Sequence, residues 1–136
     1  MADTVSAEYI YSGRKRKVLH LTNIGDGSGE SGVVKIDVSA LTFYNGVLVP
    51  EYVTIDMIDY NIQSYASVRL FFDADTDDEV AILPAGVGTI HWWAVGGKTD
   101  PRTTGFSGDV KLSTNGGAAG ATYDLTIWFR PRKAAY

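Results

Sequence analysis

The side chains able to do chemistry are few, and they lie far apart along the chain. His20 and His91 each fall in a stretch that reads as a strand, and neither has a carboxylate or second histidine at ligand spacing, so nothing local supports metal binding or acid–base work. The acidic turn Asp73-x-Asp75-x-Asp77 opens with the spacing of a calcium loop. The match then breaks, because the places that need glycine and a bidentate glutamate are occupied by Asp78 and Pro84. The run from Asp73 to Glu79 is either a solvated hairpin tip or a looser cation-binding turn. The chain has no cysteine, which excludes disulfides, thiolate metal sites and cysteine nucleophiles. No nucleophile elbow, phosphate loop or His-Glu-x-x-His appears, and Gly25-x-Gly27-x-Gly29 lacks the following helix that would aim a dipole at a phosphate. The expectation is a protein that is not an enzyme and uses no cofactor or metal.

The residues suited to gripping another molecule are better defined. Trp128 falls on the polar side of the last alternating run, two places from Arg130, and Trp and Arg are over-represented among binding anchors. Arg132 continues that basic end. Arg14, Lys15, Arg16 and Lys17 form a second basic run, suited to docking on an acidic surface or to protecting an edge strand from aggregation. Tyr9 and Tyr11 stand just before it. These nine residues are the candidate partner contacts. Trp92 and Trp93 are adjacent, so in a strand they point to opposite faces and one of them leaves the core.

The elements that must position them are strands. Val18 to Ile24 puts Leu19 and Leu21 on one face; Val34, Ile36 and Val38 alternate with Lys35, Asp37 and Ser39. From Val53 the apolar phase runs through Ile55 and Met57, then restarts at Ile58, Tyr60 and Ile62. This one-residue flip predicts a β-bulge near Met57, or a strand passing from one sheet to another. Val68, Leu70 and Phe72 continue with period two; Val80 to Leu83 reads as a short strand, Ala85 to Gly88 as a turn, and Thr89 to Val95 as an aromatic strand. The Gly/Ser-rich run Gly25 to Gly32 reads as a flexible connecting loop, and Leu41 to Pro50 as a loop or short strand with an Asn45-Gly46 turn. Val110 and Leu112, then Tyr123, Leu125, Ile127 and Phe129, alternate on either side of the small-residue run Asn115 to Gly120, which predicts a closing β-hairpin. The expected fold is all-β: a two-sheet antiparallel β-sandwich, jelly-roll-like, of eight or nine strands. Residues 1–12 form an N-terminal arm or edge strand and residues 13–136 a single β-sandwich domain.

Within the closing stretch, Gly108, Asp109, Val110, Leu112, Ser113 and Thr114, the loop glycines Gly116 and Gly120, then Thr122, Tyr123, Leu125, Ile127, Arg132 and Lys133, form a pattern that resembles the last hairpin of small β-sandwich proteins that decorate or cement the capsids of tailed bacteriophages. Ser31 to Ser39 is a second matching piece. Together they cover under a third of the chain, and they are strand-and-turn patterns with no chemistry in them. The resemblance implies a structural virion protein on the outer capsid surface, bound to the major capsid protein and stabilising contacts between its subunits, as a trimer or dimer at symmetry axes. The alternatives are a carbohydrate-binding β-sandwich that stacks sugars on its tryptophans, and a phage tail or fibre component.

Composition agrees with one folded module. A chain of 136 residues, 45% hydrophobic and 21% charged, suits a single core. Its net charge of −4 argues against a nucleic-acid partner, which calls for a basic excess to displace counterions. No apolar run reaches the roughly 20 residues of a spanning helix, so no membrane partner is expected. The first residues lack the basic start and apolar run of a secretory signal, which makes the host cytoplasm the expected place of synthesis.

Overall fold

One strand carries the architecture. The computed structural model describes residues 4–12, 16–27, 29–37, 52–74, 78–92, 94, 96–99, 106–117 and 119–132. The strands are β1 (Thr4–Ser12), β2 (Lys17–Asp26), β3 (Val33–Ile36), β4 (Tyr52–Ala74), β5 (Asp78–His91), the two-residue β6 (Lys98–Thr99), β7 (Phe106–Asn115) and β8 (Ala119–Arg132). Among the described residues every pairing is antiparallel and no α-helix forms. The path runs β1-β2-β8-β4-β7-β3, with β5 and β6 also on β4.

The 23 residues of β4 act as a spine with two different flanks. Ile58 pairs with both Ile90 of β5 and Ile127 of β8, and Val68 pairs with both Leu83 of β5 and Thr114 of β7. A strand has only two edges, so β5 occupies one and β8 and β7 share the other, end to end. The expected closing hairpin is therefore not there: no ladder joins β7 to β8 among the described residues. Instead β8 lies between β2 and β4, and β7 between β4 and β3. Alternation around a Gly/Ala loop is equally compatible with a reversal and with a chain that keeps its direction while changing its outer neighbour, and here the second occurs.

The expected bulge is present. The β4–β8 register shifts between Ile55 and Met57, making Asp56 the extra residue and moving burial from Val53 and Ile55 to Ile58 and Ile62. A second irregularity lies at 63–66, where four residues of β4 stand against Ala85 alone and Ser64 adopts φ 68°. At that crease β4 leaves the limb it shares with β8, β2 and β1 for the limb it shares with β7 and β3. The sheet is thereby curled. Its two ends approach: the carboxylate of Asp37, just past β3, acts on the hydroxyl of Tyr9 in β1 and, after burial, helps raise its pKa.

The described segments amount to seven full strands plus the short β6, fewer than the eight or nine expected. Stretches read as separate strands are continuous: Val53 to Phe72 is all β4, and Val80 to His91 is all β5, which passes through Ala85 to Gly88 without turning. The stretch Leu41 to Pro50 lies outside the described residues. One hydrophobic cluster joins both limbs, with Leu19, Leu21, Leu125 and Ile127 from one and Val68, Leu70, Val110 and Leu112 from the other.

A polar knot fastens the limbs where β7 passes to β8. Glu30 accepts hydrogen bonds from Asn23 Nδ2 (3.1 Å), Lys35 Nζ (2.6 Å) and the hydroxyl of Tyr123, while the Tyr65 hydroxyl donates to Asn23 Oδ1 (2.6 Å). Glu30 N donates to Thr114 Oγ1, and Thr114 N to the Glu30 carbonyl, both at 2.9 Å. The segment expected to be a flexible loop is thus pinned to β7 by hydrogen bonds. Asn23 is only 1% exposed, and such groups are tolerated in a core only when bonded.

Candidate binding cleft

Register brings together residues far apart in the chain. Lys17 pairs with Phe129 and Val18 with Trp128, so the start of β2 lies beside the end of β8; on the other side of β8, Trp128 pairs with Met57 and Arg130 with Thr54. At this corner a cleft of about 450 Å³ is lined by Arg16, Lys17, Asp56, Met57, Gly96, Trp128, Phe129 and Arg130. Four of the nine candidate contacts, Arg16, Lys17, Trp128 and Arg130, share it.

The bulge supplies the acid. As the inserted residue of β4, Asp56 turns its carboxylate to Arg130, whose Nε donates to Oδ2 at 3.0 Å and whose Nη2 donates to Oδ1 at 2.9 Å. Arg130 Nη2 also donates to the Gly96 carbonyl at 2.9 Å. Such a paired contact orients a guanidinium in a way a point charge cannot. The backbone holds Asp56 from the other side: Trp92 N donates to the Asp56 carbonyl at 2.8 Å, and Gly97 N to the Trp92 carbonyl at 2.9 Å. Gly97 has φ 94°, and a Cβ there would collide with Thr54 and come within about 3 Å of Asp56 and Arg130, so the turn under the cleft requires glycine.

Charge in the cleft is one-sided. Among the described residues, Arg16, Lys17 and Arg130 line the cleft together with one carboxylate, that of Asp56. Lys17 is 3% exposed, and burial pulls its pKa below the ordinary lysine value. Arg16 is exposed and makes no hydrogen bond or ion pair among the described residues. Trp128 is half-buried and forms a flat wall beside Met57.

The other candidates are placed differently. Tyr9 rests its ring on Phe129, centroids 6.2 Å apart, and is 39% exposed. Tyr11 and Arg132 lie in β1 and β8, and their side chains, like all of Arg14 and Lys15, are outside the described residues. Trp92 packs partly buried against the core just after β5, and Trp93 is outside the described residues. In the acidic run, Asp73 pairs with Lys111 at 3.1 Å and Glu79 with Arg69 at 2.9 Å, while Asp75 and Asp77 are not described. Among the described residues no group of three or more histidine or acidic side chains is placed to hold a metal ion.

Two features are not among the residues singled out from the sequence. Asp56 joins the cleft only through the bulge, and His20, with no acid near it in sequence, has its Nε2 2.6 Å from Asp124 Oδ1 across the β2–β8 ladder. Asp56 belongs to the phase flip at Met57, so that flip was the available hint. Comparison with protein-family models, curated proteins and solved structures finds no match for this chain. Among the described residues no helix is long and apolar enough to cross a membrane.

Proposed function

We propose that this protein is a capsid decoration protein of the tailed-phage kind, which binds the outer surface of a phage head and stabilises contacts between major capsid protein subunits. The observation that carries the reading is the cleft: an oriented arginine, an exposed arginine without an acid among the described residues and a tryptophan wall converge at one corner of the β-module. Arg and Trp are the residue types that dominate protein interfaces. The strand pattern of Ser31 to Ser39 and Gly108 to Lys133 supports the same role through its resemblance to those proteins. In this reading the two limbs of the curled sheet stack as the layers of a jelly-roll-like sandwich, and a trimer or dimer meets the shell at a symmetry axis. Many copies, each with a modest interface, stiffen the shell without chemistry.

The test is to mix the purified protein with expanded heads that lack it. Co-sedimentation is expected, weakened about tenfold or more by Trp128→Ala, the usual scale for a central interface tryptophan; failure to bind the heads overturns the reading. A carbohydrate-binding module is the second reading. It draws on the same half-buried Trp128 beside the fixed Asp56–Arg130 pair, a platform with polar neighbours. Glycan-array binding lost on Trp128→Ala, with no binding to heads, would favour it.

A further inference from the structure

The cleft also defines what its occupant must carry. We infer that it takes an acidic peptide segment of a protein partner, with a carboxylate on the guanidinium groups of Arg16 and Arg130 and a neighbouring apolar side chain against Trp128 and Met57. This inference deepens the capsid reading, on which it rests for the identity of the partner but not for the chemistry of the site.

Three observations lead to it. First, cations outnumber acids among the described residues of the lining, and Asp56 is already committed to Arg130 through both carboxylate oxygens. Second, that pairing uses Arg130 Nε and Nη2, so Nη1 keeps its donors, and Arg16 offers its whole fork. A planar acceptor of two oxygens matches such donors, and an arginine pre-oriented by its own acid loses less side-chain freedom on binding. Third, the wall is Trp128 and Met57, which favours a segment that alternates acid with an apolar residue over a bare anion. A volume of about 450 Å³ admits a few side chains, not a folded element. A nucleic-acid strand fits poorly, because the chain as a whole is acidic, with a net charge of −4.

The test uses the full chain and the probe peptide acetyl-Glu-Leu-Asp-Glu-amide, read by tryptophan fluorescence and by calorimetry. Saturable binding is expected, weakened about tenfold by R16E, the usual effect of reversing one charge in a close pair, and weakened less by R16K, which keeps the charge without the fork. Arg16 is exposed and unbonded among the described residues, so a thermal melt of R16E should match that of the parent chain and exclude misfolding. No binding at millimolar peptide overturns the proposal. So does equal binding by R16E, or equal affinity for acetyl-Lys-Leu-Lys-Lys-amide or an oligothymidylate. Head binding is measured separately: peptide binding without head binding removes the capsid reading and keeps the acidic ligand, whereas head binding without peptide binding removes the acidic ligand and keeps the capsid reading.

Discussion

At the scale of single residues, the buried and exposed ion pairs contribute unequally. Glu30 and Lys35, both under a tenth exposed, draw Asn23, Tyr65 and Tyr123 into one hydrogen-bonded knot. Losing one donor from such a network costs far more than losing a surface contact, because the remaining groups stay away from water. We expect Tyr65→Phe to lower unfolding free energy by about 1–3 kcal/mol, seen as a lower urea midpoint with an unchanged slope. Arg69 and Glu79 form the solvent-facing case, joined at 2.9 and 3.1 Å, with the guanidinium also over the Phe71 ring. The hydrogen bond from Arg69 holds the Glu79 carboxyl below its ordinary pKa. A depressed pKa adds stability above the ordinary glutamate range, and that stability fades as pH falls through the lowered value. Urea midpoints followed down the acid limb should therefore fall less steeply in Glu79→Gln than in the parent chain; parallel curves would show the pair to be without effect.

At the scale of elements, the crease in β4 decides how the limbs meet. Ser64 holds a left-handed φ of 68° there, which costs a side-chain-bearing residue about 1–2 kcal/mol. Ser64→Gly relieves that strain, offset in part by greater freedom of the unfolded chain. We expect its melting temperature to be equal or higher, whereas Ser64→Val, β-branched at the same φ, should lose about 1–3 kcal/mol. Opposite the crease, Gly117 lies between β7 and β8 with the Tyr65 ring directly where a Cβ would stand. Tyr65 is 2% exposed and tied to Asn23, so it has little room to yield. Gly117→Ala is expected to destabilise by about 2–3 kcal/mol, within the overpacking range, and a crystal structure or NMR spectrum would show the displaced ring.

At the scale of the molecule, β1 is both an edge and a lid. It pairs along β2 from Thr4↔Ile24 to Ser12↔Lys17, and Tyr9 covers Phe129, which is 1% exposed. Removing residues 1–12 would bare the β2 edge and part of the core beside the cleft. We expect a fall in melting temperature of at least about 5 °C and concentration-dependent association in ultracentrifugation. An arm that only docks on a partner predicts the opposite, with stability unchanged and head binding lost. Val5, Ile10, Ile24, Val33, Val34, Ile82 and Val87 are exposed along β1, β2, β3 and β5, while Arg16, Lys17 and Arg130 meet at the corner between β2 and β8.

The sequence by itself determined the strand class, the bulge and the inward faces of β2 and β8, but not that of β3, where a register shift after Val34 leaves that residue exposed and Ile36 buried. Leu19, Leu21, Leu125, Ile127 and Phe129 are all buried where period two places them, and the phase flip at Met57 coincides with the inserted Asp56. These follow from side-chain alternation, which is local and survives any pairing scheme. Tertiary structure alone decided which strand lies beside which. The run from Phe106 to Arg132 looks like a hairpin because turn composition records that the chain bends, not whether its two halves bond to each other; their partner is β4, more than thirty residues earlier. The cleft has the same origin. Arg16, Asp56 and Arg130 meet because backbone hydrogen bonds set the β2–β8 and β4–β8 registers, and a register is a property of two segments at once, which no reading of either one contains.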